Sequence, residues 1–195
     1  AAILLGATGG TKSNALRSTT GWFVSSLPNL GGNGTDAYGF NAEPLGFLND
    51  SGRVLDDQLG ASFWLSTNRW EQVNGEEEIS LWASASRIEN DYYGYSYYYQ
   101  SVRCVKDDST DVMLLDVYNF DPGPLKTPGE FMNEKINYGT FEDIRDQKTY
   151  KTVVIGDQTW MAENLNFETD SSVCYRGVAD SCLKYGRLYS WGDAM

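Results

Sequence analysis

Polar and apolar residues alternate on both sides of Gly156-Asp157. In Lys151–Ile155, Val153 and Ile155 fall on one face, because successive side chains of a strand point to opposite faces. Glycine accepts the positive φ that a tight hairpin turn requires. The pattern therefore predicts a β-hairpin with strands Lys151–Ile155 and Gln158–Met161. A hairpin this short is unstable alone in water, so we expect it to be the edge of a larger structure.

A longer β pattern lies upstream of this hairpin. Its predicted strands are Phe63–Ser66, Arg69–Val73, Glu76–Arg87 and Tyr95–Lys106. Asn74-Gly75 is a strong hairpin signal between the second and third of these strands. In the last strand, Val102 and Cys104 share one face, which we expect to face the core, and Arg103 lies on the other. The pattern predicts an antiparallel sheet.

Two segments do not follow the β pattern. Residues 1–10 are typical of the end of a helix that glycines terminate. Asp107–Asn137 contains Pro122-Gly123-Pro124 and other turn residues, which are typical of a linker. Within it, Val112–Tyr118 is too apolar for a free linker, and we expect it to pack as an added strand or short helix.

Composition limits the classes of function. The chain has 195 residues with 41% hydrophobic and 14% aromatic content, which is typical of a folded protein. Its net charge of −12 argues against nucleic acid as a partner, because nucleic-acid binding needs a basic surface. We expect no membrane span, because no apolar run approaches the roughly 18–20 residues that a spanning helix needs.

The inventory of reactive residues is small. Histidine is absent, which removes Ser-His-Asp and Cys-His catalysis and the commonest transition-metal ligand. Cys174 and Cys182 lie close together in a polar segment, and we expect them to form a disulfide, which leaves Cys104 without a partner. A reduced cytosolic protein with three buried thiols is the alternative, but the polar surroundings favour an oxidising exterior.

Longer motifs resemble a known family. The opening half of the Fibrobacter succinogenes major paralogous domain is similar to Asp143-Ile144-Arg145-Asp146, to Gln158–Asn166 and to Tyr185–Trp191. Its closing half resembles Phe63–Thr67 and Ser101–Asp107. The order is inverted, because the closing half comes first in this chain. The chain is therefore interpreted either as a window cut from a tandem array or as a circular permutant.

The resemblance implies an α+β, C-type-lectin-like fold with a small twisted antiparallel sheet, one or two helices and long ordered loops. It implies a closing half at residues 1–107, a linker at 108–137 and an opening half at 138–195, which belongs to a second domain or, in a permutant, to the same one. It also implies an extracellular or cell-surface location. The family partner of Cys104 would be a cysteine of the family's absent middle segment.

Self-association is the first functional hypothesis. A half-domain at each end would expose apolar surface, and burying a large apolar side chain is worth roughly 1.5–3 kcal/mol. Head-to-tail contacts between copies would cover that surface and generate a fibre without enzymatic activity. The residues assigned to this assembly are Ile3, Leu4, Leu5, Trp160, Tyr185, Leu188 and Trp191.

Binding of a polysaccharide is the alternative hypothesis. Flat aromatic rings suit sugar faces. The candidate residues are Tyr93, Tyr95, Tyr97, Tyr99 and Trp70, which a cross-strand packing ladder would also explain. C-type lectins usually carry Glu-Pro-Asn and Trp-Asn-Asp motifs, whereas this chain has Glu43-Pro44-Leu45 and Leu48-Asn49-Asp50, so calcium-dependent sugar binding does not carry over.

No cofactor is predicted, with calcium as the one candidate. Calcium takes six to eight oxygen ligands. An acidic loop offers Asn49, Asp50, Asp56 and Asp57 as candidate ligands, although we favour solvated turn residues as their explanation.

Overall fold

The computed structural model describes residues 13–24, 32–64, 76–82, 88–94, 97–106 and 132–195. It is a mixed α+β structure of small antiparallel sheets with few helices. The strands are β1 (Phe47–Leu48), β2 (Val54–Leu55), β3 (Gly60–Trp64), β4 (Glu76–Trp82), β5 (Ile88–Gly94), β6 (Gly139–Asp143), β7 (Lys148–Ile155), β8 (Gln158–Met161), β9 (Val173–Cys174) and β10 (Arg187–Leu188). The helices are 3₁₀ turns at Ser13–Ala15 and Tyr175–Gly177, α1 (Ala179–Tyr185) and α2 (Trp191–Ala194).

The predicted hairpin is confirmed as β7 and β8, with β6 paired to the other edge of β7. Gly156 adopts a φ of +66° at the turn, which is the left-handed conformation that glycine tolerates best. Val153 and Ile155 are buried, whereas Val154 is exposed, as the alternation predicts. This three-stranded sheet supplies one wall of the core.

The second three-stranded sheet differs from its predicted boundaries. β3 begins three residues before Phe63, β4 ends at Trp82 rather than at Arg87, and β5 occupies residues 88–94, where no strand was predicted. The polar run Glu89-Asn90-Asp91 carries no apolar alternation, so the middle of β5 lacked a strand pattern. The predicted strand Arg69–Val73 lies outside the described residues, as do the expected helix at residues 1–10 and the packed segment Val112–Tyr118.

Residues 99–106, which we call the connecting segment, form isolated bridges instead of the continuous strand that was predicted. Tyr99 pairs with Leu48 of β1 and Ser101 with Phe63 of β3. Further along, Gln100 pairs with Tyr189, and Val105 pairs with Trp160 of β8. The connecting segment therefore pairs both with strands that precede it, β1 and β3, and with residues that follow it, Trp160 and Tyr189.

The predicted inward face of this segment was wrong for Cys104, although Val102 does pack against a buried cluster. Arg103 is 8% exposed and Ser101 is also buried, whereas Cys104 is exposed. An arginine can lie inside a protein when its polar atoms find partners, and each of the three side-chain nitrogens of Arg103 donates a hydrogen bond, as described below.

The main core contains residues from two ranges of the chain, Leu16 to Leu81 and Val153 to Ala162. Its buried members are Leu16, Trp22, Phe40, Ala42, Ala61, Phe63, Leu81, Val153, Ile155, Trp160 and Ala162. Phe40 lies at its centre, with edge-to-face contacts to Phe63 at 5.6 Å and to Trp160 at 5.8 Å between ring centroids. We call the buried contact between residues 13–106 and residues 132–195 the joint. The two predicted halves share one core across it.

The described helices are short. Within the described ranges, none is long and apolar enough to cross a membrane.

Candidate functional site

The joint is organised around the side chain of Arg103. Its Nε donates to Oδ1 of Asn164 at 2.8 Å, and Nη2 donates to the carbonyl of Asn41 at 2.8 Å. Nη1 donates to the carbonyl of Phe40. The guanidinium also lies over two rings, 4.6 Å from the centroid of Phe40 and 5.3 Å from that of Phe63. Only a planar, forked cation makes these contacts at once.

Burial changes the electrostatics of Arg103 without neutralising it. Desolvation lowers the pKa of the guanidinium to about 10, and the nearby carboxyl groups of Glu43 and Asp36 oppose that decrease. Arg103 therefore remains a cation at neutral pH. Its contacts to two aromatic faces fit this charge, because ring quadrupoles attract cations.

Asp36 lies in the same region and is fully buried. Its Oδ1 accepts the N–H of Asn41 at 2.7 Å, and Oδ2 accepts the hydroxyl of Tyr138 at 3.3 Å. Desolvation raises the pKa of Asp36 to about 6, against the opposing effects of the Asn41 hydrogen bond and the charge of Arg103. Burial beside Asp36 also raises the pKa of Tyr138. Asp36 thus connects Asn41 to Tyr138, the residue that directly precedes β6.

Glu43 is the second buried carboxyl group at the joint, with 8% exposure. Desolvation raises its pKa to about 8, and the charges of Arg103 and Lys184 act against that increase. The carboxyl group of Glu163 adds to the increase. Glu163 itself accepts the N–H of Lys151 at 2.6 Å.

Backbone hydrogen bonds close the joint along the connecting segment. Leu165 donates its N–H to the carbonyl of Val102 at 2.9 Å, and Lys106 donates to Thr159 at 2.9 Å. The N–H groups of Gln100 and Tyr189 each donate to the other residue's carbonyl at 2.9 Å. The connecting segment therefore extends the β6–β8 sheet at the free edge of β8.

The residues assigned to assembly separate into three groups. Trp160 is buried in the main core, and Leu188 is buried in a second cluster against which Tyr185 packs. Trp191 begins α2 and is partly exposed. Ile3, Leu4 and Leu5 lie outside the described residues. Since Trp160 and Leu188 are covered within the chain, their burial does not require a second copy.

The predicted aromatic surface is only partly described. Tyr97 is 47% exposed, and its ring meets Tyr98 edge-on at 5.1 Å between centroids. Tyr98 in turn packs on Phe47 at 4.8 Å. Tyr99 packs against the second cluster rather than standing free. The remaining candidates lie outside the described side chains, namely Trp70, Tyr93 and Tyr95.

The candidate calcium ligands have other partners or face solvent. Asn49 Oδ1 accepts the N–H of Arg53 and the hydroxyl of Ser51, each at 2.9 Å. Asp57 accepts the hydroxyl of Tyr175 and pairs with Arg176. Asp50 is exposed and Asp56 is partly exposed. Within the described ranges, no three or more carboxylate, thiol or imidazole side chains converge on one point.

The predicted disulfide between Cys174 and Cys182 is confirmed. It closes the turn that carries Tyr175 and Arg176, and this turn contacts Asp57. Cys104 carries a free thiol. The disulfide therefore fixes a contact between the 173–182 region and the loop after β2.

The polar residues of the joint were not identified from the sequence as site residues. Arg103 shares one face of the extended segment with Tyr99 and Ser101. The sequence does not show that this mixed face is the inward one, because the polar partners of Arg103 lie far away along the chain. Glu43 stands between Ala42 and Pro44 in a largely apolar stretch, which is the one available signal. No protein-family model matches the chain, and searches of curated protein sequences and of solved structures gave no significant match.

Proposed function

We propose that this chain is a non-catalytic extracellular structural module with a C-type-lectin-like fold, and that the joint is its assembly element. The observation that carries the proposal is the shared core, in which Phe40 and Phe63 pack with Trp160 across a long sequence separation. The disulfide and the small antiparallel sheets support the assignment. So do the sequence motifs that resemble the Fibrobacter succinogenes major paralogous domain.

The joint suits assembly because its two sides come from separate ranges of the chain. In an isolated molecule the sides close on each other within one chain. In an assembled fibre we propose that residues 138–195 of one copy close on residues 13–106 of the next. The contacts are identical in both states, so exchanging them between copies costs little, and the head-to-tail arrangement does not close on itself.

Cross-linking across the joint tests this proposal. Lys106 and Thr159 are joined by a backbone hydrogen bond of 2.9 Å, so cysteines at these positions will be close whenever the joint is closed. Lys106→Cys and Thr159→Cys are made singly and together, in a Cys104→Ser background that removes the free thiol. Peptide mass mapping without reduction then shows which chains are linked.

The double variant, refolded dilute, is expected to give an intrachain link. A mixture of the two single variants, refolded together at high concentration, is expected to give a 106–159 link between copies and elongated particles in electron micrographs. Thr140→Cys, on the exposed face of β6, replaces Thr159→Cys in the matched control and should give no link. If the double variant forms only intrachain links at every concentration, and the mixture of single variants forms no 106–159 link, the fibre is overturned and the chain is a self-contained permuted domain.

Polysaccharide binding is the second candidate, favoured by the exposed ring of Tyr97 on its support of Tyr98 and Phe47. A half-exposed ring held by aromatic neighbours presents a flat face of the kind that sugars stack on. Pull-down on insoluble polysaccharides compares the wild type with Tyr97→Ala and with Phe23→Ala, a control at another exposed aromatic side chain. Loss of retention in Tyr97→Ala alone would support this function, and no retention of the wild type would remove it.

A further inference from the structure

The turn that the disulfide closes makes two polar contacts across the joint. The hydroxyl of Tyr175 donates to Oδ1 of Asp57, and the guanidinium of Arg176 pairs with Oδ2 of the same carboxylate. Asp57 lies in the loop after β2, where the next residue, Gln58, donates its N–H to the carbonyl of Pro44 at 2.9 Å. The carboxylate is therefore held on the 13–106 side of the joint, and both of its partners come from the other side.

Tyr175 also belongs to an apolar contact across the joint. It is 9% exposed and lies in the second cluster, whose other buried members are Leu45 and Leu48 from one side and Leu188 from the other. Within the described residues, the main core has no member in the disulfide-closed turn. One buried contact of the joint therefore depends on this turn, and the main core does not.

Local structure alone holds the turn weakly. Arg176 has a φ of +56°, a left-handed conformation that is unfavourable for a residue with a Cβ, and Gly177 follows with a φ of +67°. The helix α1 that comes next has only seven residues, which is short for a helix that must be stable by itself. The hydroxyl of Ser181 lies 2.7 Å from the carbonyl oxygen of Tyr175 and supports the turn from α1. The disulfide adds the covalent constraint that keeps the turn in this shape.

The disulfide can be reached from its Cys174 end. Cys174 is partly exposed and residues 176–180 beside it are exposed, whereas Cys182 is 5% exposed. A thiolate of a dithiol reductant can attack Sγ of Cys174 and displace the thiolate of Cys182, which takes up a proton. The second thiol of the reductant then attacks the mixed disulfide, releases Cys174 as a thiol and leaves the reductant as a cyclic disulfide. Two electrons and two protons pass from the reductant to the two cysteines.

We propose that this disulfide is a redox switch for the second cluster. In the oxidised chain the turn holds Tyr175 and Arg176 on Asp57. Reduction releases both contacts and opens the second cluster, while the main core keeps the rest of the joint closed. The switch acts on contacts within one chain and goes beyond the proposed fibre, so its failure leaves the fibre proposal untouched.

Trypsin digestion of the full chain tests whether the turn opens locally. The oxidised chain is compared with a double variant, Cys174→Ser with Cys182→Ser, both in a Cys104→Ser background. Cleavage after Arg176 should be at least about tenfold faster in the double variant, because cleavage requires local unfolding of the turn. Arg53, in the exposed turn between β1 and β2, is the matched control and should be cleaved at an unchanged rate.

Two outcomes of the digestion would overturn the proposal. No acceleration at Arg176 would mean that the turn keeps its shape without the disulfide. Equal acceleration at Arg176 and Arg53 would mean that loss of the disulfide unfolds the whole chain and not the second cluster alone.

A double-mutant cycle in two redox states measures the released contact itself. Tyr175→Phe and Asp57→Ala, made singly and together, should show a coupling of about tenfold in the unfolding equilibrium constant of the oxidised chain. With dithiothreitol present, the coupling should fall below about twofold. Tyr138→Phe with Asp36→Asn is the matched control, a tyrosine–carboxyl pair beside the main core, and its coupling should be the same in both states. A Tyr175–Asp57 coupling that reduction leaves unchanged would contradict the switch.

Discussion

Arg103 and Asn164 form a buried hydrogen bond across the joint, from Nε to Oδ1 at 2.8 Å. The same amide donates from Nδ2 to the carbonyl of Tyr185 at 2.9 Å. A side chain of the connecting segment is thereby coupled, through one asparagine, to the end of α1. The strength of the joint should therefore depend strongly on Arg103.

Replacing Arg103 with alanine should destabilise the fold by about 3 kcal/mol or more, because it leaves buried acceptors unsatisfied at about 1–3 kcal/mol each. These acceptors are the carbonyls of Phe40 and Asn41 and the side chain of Asn164. The change in the free energy of unfolding is measured by urea titration at pH 7.

Two further variants test whether the loss of stability comes from the buried guanidinium group. Arg103→Lys keeps the charge but loses the planar fork, and it should recover only part of the stability. Arg53→Ala, at an exposed arginine, should change stability by less than about 0.5 kcal/mol. Equal effects of Arg103→Ala and Arg53→Ala would contradict the role given to the buried guanidinium.

The disulfide should contribute a moderate amount of stability. Cys174 and Cys182 are separated by 8 positions, and closing a loop of this size is worth about 2.5 kcal/mol in the chain-entropy model. Urea unfolding with and without a reductant measures the contribution. A double variant, Cys174→Ala with Cys182→Ala, should no longer respond to the reductant, since the remaining thiol of Cys104 is already free.

Local sequence rules predicted the parts of this fold whose side chains alternate. The Lys151–Met161 hairpin carries alternation, a turn glycine and β-branched residues. Its second strand has the predicted bounds, and its first strand begins earlier than predicted, at Lys148. The disulfide was likewise readable from two nearby cysteines in a polar segment. Strand β5 was missed because its residues Glu89-Asn90-Asp91 lack these signals.

The burial of Arg103 at the joint could not be predicted from local sequence, for a different reason. Arg103 faces inward because acceptors from residues 40–41 and from Asn164 meet it there. Those acceptors lie about 60 positions away along the chain on either side, as sequence separations of 63, 62 and 61 show. Burial of a polar residue depends on such tertiary partners, which a single sequence does not display.

Asp36 should make the stability of the protein depend on pH. Burial raises its folded-state pKa from 3.8 to about 6, so its contribution to stability is full below about pH 3.8 and is lost as the pH rises through about 6. Asp36→Asn should remove this loss, which is on the order of 2 kcal/mol between pH 4 and pH 7. The measurement is the difference in unfolding free energy between the wild type and the variant at each pH.

Asparagine retains an oxygen that can accept the N–H of Asn41, so Asp36→Asn tests charge more than geometry. Asp170→Asn, at an exposed carboxyl group, is the matched control and should follow the wild type. A wild-type profile that gains stability from pH 4 to pH 7 relative to Asp36→Asn would reverse the predicted sign.

Gly39 should be required for close packing across the joint. Its φ is +72°, and an added Cβ would lie 2.7 Å from Cγ2 of Ile136 and 3.1 Å from Cγ2 of Val153. Gly52 has nearly the same φ, +73°, with nothing within 4 Å of an added Cβ, so Gly52→Ala isolates the cost of the backbone conformation. That cost is about 1 kcal/mol, and overpacking in Gly39→Ala should add roughly 1–3 kcal/mol to it. Thermal and urea unfolding of the two variants measure the difference directly. If Gly39→Ala were no less stable than Gly52→Ala, Ile136 and Val153 would have to move aside without cost, and the joint would be more loosely packed than its distances indicate.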